Sequence, residues 1–461
     1  MTVSVPTAVA LVPAPALVLH AGSLSGSLQS VPVPSWLVVL SGGGLIGASF
    51  LFTTLVTDHA LIRELNDRRF GLPSPALLRA ATRRAIRLLG VVGLALVVVS
   101  GLFGPENPVA NLAVLLVWAG WWAGYTMSVY LVGDTWPALD PWRTLSGGVA
   151  WVGDRLGTGL PRVDYPERLG AWPSVAGLLA LVLLEVVSPV AERPRVLAWV
   201  VVAYTVVTVL GAVAVGRDVW FDRVDPVARV FRFYGRLAPL QRTDRGVELT
   251  VPGGALTRAN APESSDDTAF VVALLWVTTF DGFVSTPAWR SLARPVVDAG
   301  VPALLVYALA LVVGFTGFLV AYRLAARRAR ETAETYVSAR FIAGWFVPSL
   351  LPIAAGYHLA HFLGYFLTLV PALAASLATP LAVAPDLRLL VLPGWFGTLQ
   401  LGFVVLGHLV AVWVAHSLAF AVFAGRLQPI RSQYPFILVM VFYTMTSMWI
   451  VSQPYVAPPY V

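Results

Sequence analysis

The chain contains a series of apolar runs, several of which reach or exceed the roughly twenty residues that an α-helix needs to cross about 30 Å of hydrocarbon. Hydrophobic residues make up 57% of the 461 residues and charged residues 12%, which is far from the composition of a soluble domain. The sequence lacks the alternating ten-residue segments of outer-membrane barrels. It therefore predicts an all-α fold, a polytopic transmembrane helical bundle.

The hydropathy pattern predicts ten membrane spans. They lie at residues 36–57, 88–104, 109–133, 170–188, 197–216, 268–284, 300–321, 342–372, 395–422 and 435–452. The loops on one side of these spans hold 26 of the 31 basic residues, all of them arginine, and the loops on the other side hold five. Because arginine is enriched in cytoplasmic loops, the sequence predicts a multi-pass protein of the plasma membrane with both termini outside the cell.

The spans divide the chain into four predicted parts. Residues 1–35 form an extracellular N-terminal arm, 36–216 a first bundle of spans 1–5, 217–267 a cytoplasmic loop, and 268–461 a second bundle of spans 6–10 with the candidate histidines. The segment VARVFRFYGRLAPL after Pro226 mixes aromatic residues with arginines, which is typical of a helix at the membrane surface or of a juxtamembrane connector. A small hairpin and a polar linker are predicted to follow it within the cytoplasmic loop.

Two cytoplasmic junctions of the first bundle resemble each other. Asp134-Thr-Trp136 leads to Asp140-Pro141, and Asp218-Val-Trp220 leads to Asp225-Pro226. Asp-Pro favours a helix start, with aspartate as the N-cap and proline in the first turn. The similarity indicates a parallel internal repeat, in which spans 2–3 correspond to spans 4–5.

Composition excludes several kinds of chemistry. The chain has no cysteine and no lysine, which rules out disulfides, thiolate metal sites, thiol nucleophiles and a lysine Schiff base. It contains no phosphate-binding glycine motif. Its net charge of +7 follows from the arginine-rich cytoplasmic loops, so the lipid bilayer is the predicted partner and nucleic acid is not.

Ionisable residues inside the predicted spans are the candidates for function. Each costs roughly 2.5 to 3.5 kcal/mol on insertion scales when it is charged at the centre of a span, so such residues are kept where they have a role. They are Glu185, Asp281, His358, His361, His408 and His416.

Three histidines form a predicted metal site. His358 and His361 lie about 60° apart around a helix axis, and His408 of the next span lies at a similar depth by the rise per residue. Three imidazoles with an open position would suit a divalent metal such as Zn, Cu or Fe. The alternative is that each histidine bonds a carbonyl or hydroxyl and joins helices together.

Two carboxylates are predicted to assist the histidines. Asp281 lies near the outer end of span 6, where it can accept an imidazole N–H, act as a general base or face water at a helix end. Glu185 lies near an end of span 4, where it can accept a proton or extend toward the interface. Pro348 and Pro352 precede the histidine pair and predict a kink below it.

Several stretches carry a family resemblance. They are HAG before VPVPSWLVVL, GDTWPALDPWRTL, TTFDGFVSTPAW, VPSLLPIAAGYHLAHFL, LGHLVAVWVAHSLA and SQYPFILVMVFYTMTSMWIVSQP. In that order they resemble a family of multi-pass proteins from haloarchaea and high-GC bacteria labelled fenitrothion hydrolase or its membrane subunit. The resemblance covers most of the chain. It implies hydrolysis of an aryl organophosphate triester, together with a partner membrane subunit.

The residues themselves leave several functions open. In the hydrolase interpretation, a metal on His358, His361 and His408 activates water while Asp281 or Glu185 accepts the proton. The first alternative is a transporter for a metal ion or small solute, with the same residues as its binding site. The others are a haem b protein, with His408 and one histidine of the pair as axial ligands, and an assembly subunit without chemistry.

Overall fold

The computed structural model of the chain describes residues 10–13, 34–72, 76–157, 162–243, 246–258, 261–454 and 456. In chain order, its longer helices are α1 (Ser35–Thr53), α2 (His59–Asp67), α3 (Ala76–Phe103), α4 (Leu112–Leu131), α5 (Pro141–Arg155), α6 (Trp172–Val187), α7 (Pro194–Val215), α8 (Pro226–Gly235), α9 (Ser265–Val284), α10 (Pro287–Asp298), α11 (Ala303–Thr332), α12 (Ala339–Ala378), α13 (Phe396–Val422) and α14 (Leu427–Ser452). Shorter helical segments lie at Pro108–Ala110, Trp136–Leu139, Glu167–Leu169, Pro189–Ala191, Arg217–Val219, Trp220–Val224 and Gly254–Thr257. The predicted all-α bundle is confirmed for this part of the chain.

Nine helices among the described residues are long and apolar enough to cross a membrane. They are α1, the part of α3 from Ala81 to Phe103, α4, α7, α9, α11, α12, α13 and α14. Helix α6 is also apolar but has only 16 residues. These ten helices follow the ten predicted spans in order along the chain, and the nine long apolar ones are typical of a multi-pass membrane protein. Most of the predicted N-terminal arm lies outside the described residues.

Helix α9 is the most deeply buried of these helices. Of the 18 most apolar consecutive residues of this helix, 89% are buried inside the protein. The helix packs against α6, α11 and α12. Helix α11, by contrast, leaves Leu304, Leu309 and Val313 more than half exposed. Apolar surface of that extent is typical of a helix that faces lipid. Polar side chains on α9 therefore lie in the interior of the bundle.

Helices α12 and α13 touch through their backbones. A Cβ added to Gly356 would lie 2.8 Å from Cα of Gly407, and one added to Gly407 would lie 2.5 Å from the carbonyl oxygen of Pro352. Small residues allow this approach, which membrane helices use where no hydrophobic force drives them together. Helix α12 also contains a tighter 3₁₀ segment at Val347–Leu350, while the kink expected from Pro348 and Pro352 stays a prediction.

Helix α4 contains a long π-helical segment at Leu115–Tyr125. A π-helix has i→i+5 hydrogen bonds and is rare outside single turns, where it frequently marks functional sites. The segment includes Trp118, Trp121 and Trp122, and it packs against α12. It directs several tryptophans toward the interior of the bundle.

Both predicted Asp-Pro helix starts are confirmed. The side chain of Asp140 accepts the backbone N–H groups of Trp142 and Arg143 at the start of α5. Asp225 accepts the N–H of Ala228 at the start of α8 and also the hydroxyl of Tyr204. The two aspartates lie close enough to interact electrostatically.

The buried aspartates make stability depend on pH. Burial raises the pKa of Asp140 from its ordinary 3.8 to about 7, and the negative charge of Asp225 adds to the shift. A carboxyl with a raised native pKa stabilises the fold below its unfolded pKa, and this contribution is lost as the pH rises through the native pKa. Asp140 should therefore contribute about 2 to 3 kcal/mol more at pH 5 than at pH 8.

The Asp140→Asn variant tests this prediction, because asparagine keeps the N-cap and removes the titration. Thermal unfolding midpoints in detergent should fall between pH 5 and pH 8 in the native protein and change less in the variant. Asp134 and Asp225, whose pKa values burial raises to about 6, account for the dependence that remains in the variant. Parallel pH curves for the two proteins would contradict the assignment to Asp140.

Helix α8 is buried, which argues against the membrane-surface alternative, while its role as a juxtamembrane connector stays a prediction. Arg229 is 1% exposed, and its guanidinium pairs with Asp267 at the start of α9 and donates to the carbonyl of Asp222. The ring of Phe270 lies 4.7 Å from the guanidinium carbon. The counter-charge on a distant helix is what permits burial of the arginine, and the local sequence does not reveal it.

Strands in the described residues form two small sheets. The predicted hairpin is present as β3 (Leu240–Thr243) and β4 (Gly246–Thr250), and β2 (Arg69–Leu72) pairs antiparallel with β4. In the second sheet, β1 (Ala10–Pro13) pairs antiparallel with β5 (Arg388–Val391). Each sheet joins two loops that the arginine distribution places on the same side of the membrane.

Candidate functional site

Asp281 and His361 meet in the interior of the bundle. The Oδ2 atom of Asp281 on α9 and the Nε2 atom of His361 on α12 are 3.2 Å apart, and both side chains are almost fully buried. This contact places a carboxylate beside an imidazole, while the roles of Asp281 as an N–H acceptor or a general base stay predictions. The burial of Asp281 does not match the alternative of a helix end facing water.

Glu185 of α6 reaches the same place. It lies close enough to Asp281 for the two carboxylates to interact electrostatically, and both line one cavity. Packing of α6 along α9 brings them together. We call Glu185, Asp281 and His361 the acidic site. The sequence singled out all three residues. In the structure His361 contacts Asp281, and Glu185 lies within electrostatic range of Asp281 on the lining of the same cavity.

The acidic site lies beside an apolar cavity of about 170 Å³. Helices α4, α6, α7, α8 and α9 supply most of its lining. Its aromatic residues include Trp118, Trp121, Trp122, Trp142, Phe231 and Phe362. We call this space the aromatic cavity. Its polar lining includes Thr278 and Tyr204, and the hydroxyl of Tyr204 donates to Asp225.

His358 faces a different set of neighbours from His361. Its Nδ1 atom is 3.1 Å from the hydroxyl of Tyr130, and its ring packs against Trp122, Tyr234 and Phe362. The side chain is completely buried. His358 therefore packs within the aromatic cluster next to the cavity, one helical turn from the acidic site.

His408 does not join the other two histidines. Its Nδ1 donates to the carbonyl of Val404 on its own helix, at 2.8 Å. Over the described ranges, no group of three or more His, Cys, Asp or Glu side chains is placed to hold a metal ion. The expected site of His358, His361 and His408 for Zn, Cu or Fe is not shown. Similar depth on two helices does not ensure that side chains share a direction.

The close contact between α12 and α13 also bears on the haem interpretation. A porphyrin bound by His358 and His408 would have to lie between α12 and α13. These helices touch at Gly356 and Gly407, immediately beside the two histidines. A planar macrocycle would require the helices to separate at this level.

His416 has a structural role. Its Nε2 donates to the carbonyl of Val56 after α1, and its Nδ1 accepts from the side-chain amide of Gln433 on α14. His59 similarly contacts the carbonyl of Phe420 on α13. These bonds join helices near the predicted cytoplasmic side.

Sequence reasoning missed the aromatic residues of α4. The run WAGWWAGY at 118–125 contains three tryptophans, a signal that can be read from sequence but was not used. The π-helical geometry that directs them toward the cavity does not follow from the local sequence pattern.

Comparison with protein-family models, with curated proteins and with solved structures finds no match for the chain.

Proposed function

We propose that the protein is a transporter of the plasma membrane, in which a small hydrophobic solute in the aromatic cavity exchanges with a proton at the acidic site. The observation that carries the proposal is the position of Glu185, Asp281 and His361 together at the edge of an apolar cavity. Ionisable residues inside membrane helices commonly form proton relays in transporters.

The chemistry of the acidic site supports proton exchange. Two negative charges repel strongly in a medium of low dielectric constant, so neighbouring buried carboxylates favour sharing a proton. The imidazole of His361 gives that proton a second position, 3.2 Å from Asp281. A solute that changes the electrostatics of the cavity therefore changes how readily the site holds a proton.

The proposal includes a topology of ten membrane spans with both termini outside the cell. The two sheets support it, since β1 and β5 lie in predicted outer loops and β2 and β4 in predicted cytoplasmic loops. The contact between Arg195 and Glu106 also joins two predicted outer loops. On this topology, α6 crosses with 16 residues, which is short and requires the bilayer to thin locally or the helix ends to extend into the interface.

Proteoliposomes that contain the purified protein and a trapped pH-sensitive dye test the transporter. We would add trimethylphenylphosphonium as a cation, dimethyl nitrophenyl phosphate as a neutral triester and benzenesulfonate as an anion. At least one of them should move protons faster than in protein-free liposomes. Glu185→Gln and Asp281→Asn should reduce that rate to the protein-free level, because each variant removes one carboxylate of the shared proton site.

Matched controls separate the acidic site from general effects of charge. Glu106→Gln and Asp386→Asn change side chains that are 86% and 85% exposed, and both should keep the native rate. Thermal unfolding in detergent verifies that the variants fold, and His361→Gln provides a third test of the site. Proton movement that no solute accelerates, or that persists unchanged in Glu185→Gln and Asp281→Asn, would refute the proposal.

Hydrolysis of a hydrophobic phosphotriester is a second candidate. The contact between Asp281 and His361 favours it, because a carboxylate that orients an imidazole is the arrangement of a general base. The family resemblance noted in the sequence points to the same substrate class, and such esters partition into bilayers. Release of nitrophenolate from the neutral triester, and its loss in His361→Gln, would support hydrolysis. Release no faster than in buffer would eliminate it.

A further inference from the structure

We infer that the aromatic cavity selects small organic cations, such as a quaternary phosphonium or ammonium ion that carries one aromatic ring, because a volume of about 170 Å³ holds about one such ring. This inference names the solute class of the proposed transporter and rests on that proposal. It follows from two independent properties of the cavity, which are the sign of its ionisable residues and the aromatic character of its surface.

The ionisable residues that line the cavity favour a positive charge. Among the described lining residues, the charged types are both acidic, Glu185 and Asp281, and there is no arginine or histidine. An organic cation can neutralise a carboxylate in this position. An anion would instead place a further negative charge beside two carboxylates in a medium of low dielectric constant, which is strongly unfavourable.

Aromatic rings provide the second preference. A cation over the face of a tryptophan, tyrosine or phenylalanine is attracted by the negative face of the ring, most strongly to tryptophan and away from water. Trp121 lies 5.7 Å from Phe231 and 6.2 Å from Trp122. Several rings of the cavity lining therefore lie close enough together to surround one small aromatic cation.

The protein's own arginines leave these rings available. In the part of the chain that the structure describes, the cation–π contacts of arginine involve Phe221, Trp151, Tyr165, Phe233 and Phe270. None of these five rings lines the cavity. Among the described residues, no arginine therefore competes with a cationic solute for the rings that line the cavity.

The charge balance gives the coupling. A protonated carboxyl at the acidic site releases its proton when the cation binds, and the carboxylate that remains pairs with the cation. One positive charge replaces another, so the apolar cavity gains no net charge. Binding of the cation should therefore release about one proton per site and should strengthen as the pH rises, because deprotonation then costs less.

Two ions of matched size and opposite charge test the selection directly. Trimethylphenylphosphonium and benzenesulfonate are similar in size and each carries one phenyl ring, and their equilibrium binding to the full-length protein in detergent can be followed by calorimetry. The phosphonium should bind with release of a proton, and the sulfonate should not bind at this site. Glu185→Gln should weaken phosphonium binding by at least about tenfold, with loss of most of the pH dependence.

Trp118→Leu tests the aromatic contribution. This indole shares the cavity, and leucine keeps an apolar side chain while removing the ring. Phosphonium affinity should fall by about tenfold, the size expected for a desolvated cation–π contact. The matched control is Trp151→Leu, since Trp151 is 59% exposed on α5, and it should bind as the native protein does.

Failure of the inference differs from failure of the transporter. Preferred binding of benzenesulfonate, or phosphonium binding that is unchanged in both Glu185→Gln and Trp118→Leu, would overturn cation selection. The transporter would still stand if the neutral triester or the sulfonate moved protons in the proteoliposomes. Phosphonium binding with the expected variant effects, but without proton movement for any solute, would instead retain the cation site and remove transport.

Discussion

Replacement of Gly407 by valine should destabilise the protein by about 3 kcal/mol or more, the upper range for overpacking. The new Cβ would lie 2.5 Å from the carbonyl oxygen of Pro352. Backbone atoms of a second helix cannot rotate away as a flexible side chain can, so α12 and α13 would have to separate. Gly356→Val should behave similarly, since its Cβ would meet the carbonyl oxygen of Phe403 at 2.7 Å.

Gly402 provides the matched control in the same helix as Gly407. A Cβ at Gly402 meets no atom within 4 Å, and valine there has the same intrinsic helix propensity as at position 407. Unfolding midpoints in detergent for the three valine variants would therefore separate the packing effect from the propensity effect. Equal midpoints for Gly402→Val and Gly407→Val would show that the two helices do not touch as described.

The second large effect is expected at Arg229. Arg229→Met keeps much of the side-chain volume but removes the charge that pairs with Asp267. Loss of one partner of a buried ion pair typically costs about 3 to 5 kcal/mol. The variant should therefore have a much lower unfolding midpoint and a lower yield of folded protein.

Arg232→Met is the control for that prediction. Arg232 is 43% exposed, and its contacts with Asp222 and Asp267 are longer, at 3.7 Å and 3.6 Å. An exposed pair of this kind contributes about 1 kcal/mol or less. The double variant Arg229→Met/Asp267→Asn should be more stable than additivity predicts, because neither charge then remains unpaired in the interior. Additive effects would argue against direct pairing.

Much of the secondary structure could be predicted from the sequence. The positions of the helices followed from the apolar runs, because runs of about 18 to 25 residues have the length that a membrane-spanning helix needs. The starts of α5 and α8 followed from Asp140-Pro141 and Asp225-Pro226, because capping depends only on neighbouring residues. The membrane-surface alternative for α8 failed because the burial of Arg229 depends on its pairing with Asp267. Asp267 lies on another helix, outside the segment VARVFRFYGRLAPL.

The candidate site was predicted less completely. Glu185 and Asp281 could be selected because charged residues are rare in apolar spans. Depth along a helix follows from the rise per residue, but the direction of a side chain around the axis depends on tertiary packing and on local changes in helical period. For this reason His361 meets Asp281, whereas His408 bonds a carbonyl of its own helix.

The π-helical segment of α4 has a mechanical consequence. A π turn takes up about one residue more than an α turn, and one residue corresponds to about 100° of rotation in an α-helix. If one turn of Leu115–Tyr125 tightened to α geometry, the indole of Trp118 would swivel relative to the ends of α4. A change in helical winding over a few residues of α4 would therefore rotate a side chain that lines the cavity.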